Sequence, residues 1–145
     1  MSNFKTSGNR HQSRIIAFQF LYGNVQPISE KHSGEYTFSE KDFTTFCESF
    51  QLLPDTFAYE LVCGVGKKIP ALDEVIAKFS EHWRIERMSK IDLTILSMGT
   101  YEIQTFLDIP KSVSINEAIE LAKQYGEKDS PSFINGILDK IAKDS

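Results

Sequence analysis

The side chains in this 145-residue chain that could hold a metal, attack a substrate or carry a proton are few. His11, His32 and His82 stand in separate segments, none with a second ligand three or four residues away, so no metal site is expected. Cys47 and Cys63 form no C-x-x-C pair, and each sits in an apolar helical pattern, which reads as reduced core cysteine. Gly64 to Lys68 spells GVGKK. It lacks the four-residue gap of a phosphate loop and the Ser or Thr after its lysine, and it follows no strand. Met88-Ser89-Lys90 is not the Ser-x-x-Lys pair of acyl-enzymes. Glu117 and Glu120 lie three apart on a helix, where capping and solvation explain them. A glycosidase pair would need a cleft that a small helical bundle seldom offers. No catalytic residue and no cofactor is expected, and the chain reads as a binding protein rather than an enzyme.

Charge points to what it could bind. The net charge is −4, which argues against a general nucleic-acid binder. Residues 1–29, however, hold Lys5, Arg10 and Arg14 and no acid. That segment is +3, and the other 13 basic residues against 20 acidic ones leave −7 for the remainder. A basic arm on an acidic body concentrates positive potential where a polyanion could dock. Arg10 and Arg14 are i, i+4 and should share a helix face, with His11 beside them.

These groups need elements to position them. Residues 1–8 read as a flexible basic tail. Asn9 caps a helix to about Asn24, with Ile15, Phe18, Tyr22 and Val25 at helical spacing. Residues 26–38 are loop-like. Ser39 starts a second helix with Phe43, Phe46, Cys47 and Phe50 inward, and Pro54 opens a third along Phe57, Leu61 and Val65. Pro70 opens another with Leu72, Val75, Ile76 and Phe79, and residues 80–87 finish it and turn the chain. Ser89 to Phe106 is apolar on two sides, as a central helix would be. Ser114 and Glu117 fit a capping box at the start of the next helix, Gly126 stops it, and Ser130 caps the last helix at Pro131. The expectation is an all-α fold: one compact domain over 1–145, a bundle of about seven helices in two helical sub-bundles. No apolar run approaches the ~20 residues of a membrane span, and no export signal opens the chain. No membrane contact and a cytoplasmic location are therefore expected.

Along Ile109 to Ile141 the chain reads IP-x-x-V-x-INEAIELAK, then G-x-x-DS, then F-x-NG-x-LDKI. This stretch resembles the C-terminal helical hairpin of the NusB family of transcription antitermination factors. The likeness is fainter over Ser89 to Phe106 and at AFQFLY, and between residues 27 and 80 it rests on little beyond Phe57 to Val65. The resemblance implies a non-enzymatic factor that binds the boxA RNA of ribosomal operons together with ribosomal protein S10 (NusE), within the RNA polymerase antitermination complex. The family grips RNA with an arginine-rich N-terminal helix. This chain has two arginines there where several are usual, so the implied contacts are Lys5, Arg10, His11 and Arg14.

The family's RNA positions also match Tyr22, Asp129 and Phe133, which could stack on and hydrogen-bond to unpaired bases. Each has an ordinary structural role open to it as well, in the core or in a turn. Asp92 matches an acidic position facing NusE, and Glu86 is placed near it. Some family members pair with themselves, so a homodimer stays open. Two alternatives remain: a domain related to the front of rRNA cytosine methyltransferases, or a protein-interaction module that does not bind RNA.

Overall fold

The computed structural model describes Phe4 and residues 9–25, 34–81 and 83–145. Among them run seven α-helices: α1 Arg10–Asn24, α2 Glu40–Ser49, α3 Thr56–Lys67, α4 Ile69–Phe79, α5 Lys90–Thr105, α6 Lys111–Tyr125 and α7 Ser130–Asp144, with a 3-10 turn at Ile85–Arg87 before α5. No strand occurs among the described residues.

Local chemistry accounts for most of the helix starts. Asn9 accepts from the backbone N–H of Gln12 and opens α1. Ser39 and Asp42 close a reciprocal capping box on α2. Asp55 caps α3 and Ser89 caps α5. The capping box expected at Ser114 and Glu117 does not form. Helix α6 begins four residues earlier, with Pro110 as its N-cap, and both side chains turn to distant partners. Ser130 is likewise inside α7, and its Oγ accepts from the backbone N–H of Glu127 at 3.0 Å. Gly126 does stop α6.

Helix α5 is central, as its two apolar faces require. It packs on α1 and α3 on one side and on α4, α6 and α7 on the other. Gly99 permits close approach to α7, because a Cβ there would stand 2.7 Å from Leu138 Cδ1. Helices α6 and α7 form the expected hairpin, and α1 lies along α3. One continuous core runs through both halves. Two inward residues are corrected. Phe50 is largely exposed at the end of α2, and the buried side of α1 centres on Ile16, Ala17, Phe20 and Leu21, which leaves Tyr22 at its margin. Phe4 docks its ring edge-on against Phe43 and Tyr59, at 5.6 and 5.3 Å between centroids, and its carbonyl accepts from Thr56 Oγ1. That much of the tail is held; the rest of residues 1–8, Lys5 included, lies outside the described residues.

Candidate nucleic-acid interface

Arg10 and Arg14 share a face as expected, both guanidinium groups lying over the Phe57 ring at 4.6 and 5.1 Å, but they differ in exposure. Arg14 is 3% exposed. Its Nε donates to Glu102 Oε2 at 2.9 Å and its Nη2 to Glu102 Oε1 at 2.7 Å, a two-pronged pair that fixes both planes. Nη1 donates to Glu117 Oε1 at 3.4 Å, and Ser114 Oγ completes Glu102 from 2.9 Å. One ring nitrogen of His11, Nδ1, meets Glu117 Oε2 at 2.9 Å; the carboxylate can only accept, so that nitrogen carries the proton. Beside this network Ser13 donates to Asp55, the cap of α3.

Polar bonds on the buried side of α1 thus fasten it to α3, α5 and α6. The guanidinium of Arg14 is committed inside the fold. That of Arg10 is exposed, 4.6 Å above the Phe57 ring, and His11 is half-exposed beside it.

At the other end of α1, Tyr22 is 39% exposed. It backs onto Phe18 at 5.9 Å with a 27° tilt, and Phe18 lies 4.6 Å from Tyr125 of α6. Gln19 donates to the Tyr125 hydroxyl at 3.0 Å, which steadies this ladder of rings. Lys90, the first residue of α5, holds its ammonium 4.7 Å from the Tyr22 centroid. A ring open to solvent with a cation over it offers a stacking surface beside a site for phosphate.

Next to Lys90, Ser89 lines a pocket of about 180 Å³ shared with Asp92, Asp129, Phe133, Trp83 and Arg87. Three residues expected in two different interfaces therefore meet in one place: Asp129 and Phe133 from the RNA set and Asp92 from the protein set. The Asp129 side chain makes no cap bond to α7. Asp92 Oδ1 is buried and accepts no hydrogen bond from the described residues. Glu86 is exposed on the preceding 3-10 turn, 3.6 Å from Arg84. Sequence reasoning missed Trp83, Arg87 and Lys90. Trp83 carried one signal, a large apolar residue off every helical stripe, and its ring now stands edge-on to Phe133 at 5.6 Å and 76°.

Nothing here suggests covalent chemistry. Burial pushes the Cys47 thiol up to about 11, reinforced by the Asp55 charge, and burial also raises Cys63, so neither is a thiolate near neutral pH. Among the described residues no group of three or more His, Cys, Asp or Glu side chains could hold a metal ion. No helix is long and apolar enough to cross a membrane.

Comparison with known proteins gives these surfaces a context. The NusB family model matches residues 11–143. The transcription antitermination protein NusB of Oleidesulfovibrio alaskensis is 41% identical over 94% of this chain and 89% of its own length. The NusB protein of Geotalea daltonii is 43% identical over 92% and 94%. Among solved structures, NusB of T. maritima superposes with a TM-score of 0.69 at 30% identity, covering 96% of this chain and 92% of that one. The antitermination factors NusB and NusE solved in complex with dsRNA contain a chain of the same fold, with a TM-score of 0.72 at 23% identity over 94% and 97%. The curated relatives are transcription antitermination proteins, and with a match over residues 11–143 the chain belongs to the NusB family.

Proposed function

We propose that this chain binds boxA RNA of ribosomal operons jointly with NusE, in the bacterial cytoplasm, and so helps elongating RNA polymerase resist termination. Arg10 and His11, with Lys5 from the preceding segment, neutralise phosphates at one end of α1. Tyr22 and Phe133 stack unpaired bases, with Asp129 as an acceptor for base amino groups. Lys90 adds the positive charge that a thin N-terminal arginine content leaves wanting. Arg14 acts indirectly, by holding α1 in place. Asp92 and Glu86 face NusE, where charge complementary to these carboxylates speeds encounter and selects for it.

The observation that carries this reading is the contact of Lys90 with the open Tyr22 ring, one residue along from the pocket of Asp129 and Phe133. A chain of this fold bound to NusE and RNA supports it. The test is a titration of labelled boxA RNA with the protein, with and without NusE, across a salt series. With three or four phosphate contacts, log K should fall against log salt with a slope of about −2 to −3. A flat response, or no gain on adding NusE, would refute the reading.

A further inference from the structure

We infer that the cleft between the start of α1 and the α2–α3 loop holds one unpaired nucleobase of the bound RNA, with the Gln12 and Gln51 amides on its edge. The inference rests on the reading that RNA phosphates dock at Arg10 and His11, on the same first turn of α1 as Gln12. The cleft is about 570 Å³, inside the range of about 300–1,000 Å³ typical of small-ligand sites. Ile16, Leu52, Leu53 and Pro54 give it apolar walls. Leu53 is 86% exposed, so a flat ring laid against it removes apolar surface from water.

The polar part of the lining is amide, not ionic. Gln12 and Gln51 are exposed, and neither side chain makes a hydrogen bond among the described residues. Asp55 is satisfied from within: Oδ1 accepts from the Ala58 backbone N–H and Oδ2 from Ser13 Oγ, each at 2.8 Å. Gln51 holds its place against its own backbone preference. Its φ is 55°, in the left-handed region that favours glycine. Just past the end of α2, the N–H of Leu52 reaches back to Cys47 O at 2.7 Å and that of Gln51 to Glu48 O at 3.1 Å, a closure that glycine makes most easily. What the strained residue adds over glycine is a carboxamide on the lining of the cleft.

These parts select the occupant. A carboxamide carries a donor and an acceptor side by side, which is the pattern of a base edge, and unpaired RNA is read by such edges. A charged side chain would find no unpaired opposite charge here. An apolar side chain would fill the walls but strand both amides away from water. The caps of α1 and α3, Asn9 and Asp55, both line the cleft, so the positive ends of two helices stand beside the phosphates that flank the base.

The test pairs protein variants with single abasic substitutions along a boxA RNA, read by fluorescence anisotropy of the full chain with NusE. One abasic position should weaken binding by the unmodified chain about tenfold and weaken binding by Gln51→Gly no further. Gln51→Gly itself should bind the intact RNA about tenfold less tightly while unfolding at an equal or higher temperature, because glycine relieves the backbone. Gln12→Ala leaves that turn untouched and should silence the same position. Abasic losses at the bases held by Tyr22 and Phe133 should persist in both variants. If the unmodified chain binds boxA RNA and Gln51→Gly binds it equally well, or loses affinity with every abasic position still felt, the cleft holds no base and only this inference falls. If the unmodified chain with NusE binds no boxA RNA, the functional reading falls and this one with it. If Gln51→Gly weakens NusE binding measured without RNA, the cleft belongs to a protein and the inference is wrong.

Discussion

Arg14 and Glu102 face each other through two hydrogen bonds, 2.9 and 2.7 Å long, across 88 residues of sequence, and both side chains are 3% exposed. A pair so buried is worth little relative to an apolar pair of the same shape, but losing one member strands the other charge. Glu102→Ala should therefore destabilise the fold by about 3–5 kcal/mol. Urea unfolding followed by circular dichroism measures it. Arg14→Ala should fall in the same range, and the double variant should lose clearly less than the sum of the two. Additive losses would show that the two side chains act independently.

Arg10 contrasts with Arg14 because its guanidinium lies outside. Its contact over Phe57 contributes only about 0.5–1 kcal/mol at an exposed site. Arg10→Ala should leave the melting temperature nearly unchanged, weaken RNA binding for any sequence, and make the salt slope shallower by about 1. Fluorescence anisotropy in the presence of NusE at four salt concentrations checks both parts.

Tyr22 should behave as a stacking platform. Tyr22→Ala is expected to cost about 1–3 kcal/mol of RNA affinity. Tyr22→Phe keeps the ring and should keep most of the binding. Stability should change little in either, because the ring is already half in water. Equal losses in both variants would assign the effect to the hydroxyl instead.

Asp73 supplies a pH dependence unrelated to RNA. Burial raises its pKa from 3.8 to about 6. The folded chain therefore holds this proton where the unfolded chain releases it. The proton's contribution to stability is complete below about pH 4 and is lost as pH rises toward 6. A shift of this size would correspond to about 3 kcal/mol, reduced to about 1 by solvent screening of a partly exposed group. Asp73→Asn should consequently be more stable than the unmodified chain by about 1 kcal/mol at pH 8 and equal to it near pH 4. Calorimetric melting at the two pH values measures the difference.

What could be read from the sequence was local. Asn9, Ser39 and Ser89 each sit three residues before a backbone N–H they can cap, and all three do so. The double apolar face of Ser89 to Phe106 announced a helix packed on both sides. Ser114 and Glu117 carry the same local signature and were misread. The buried guanidinium of Arg14 and the carboxylate of Glu102 recruited them, and an ionic demand inside the core outweighs a cap at the surface. The same competition hid the fate of Arg14, which shares a helix with Arg10 but lies on the edge that α5 covers. Trp83 was invisible as part of a site because its neighbour Phe133 is 50 positions away and reaches it only through the α6–α7 turn.

The central place of α5 has a consequence for how the protein comes into being. Helices α1 to α3 are synthesised before residues 90–105, and until α5 emerges the apolar sides of α1 and α3 that it later covers lack that cover. A chain stalled before Thr105 would carry an intermediate with exposed apolar surface that invites chaperones. Its working surface closes into shape only near the end of synthesis, when α6 and α7 arrive to finish it.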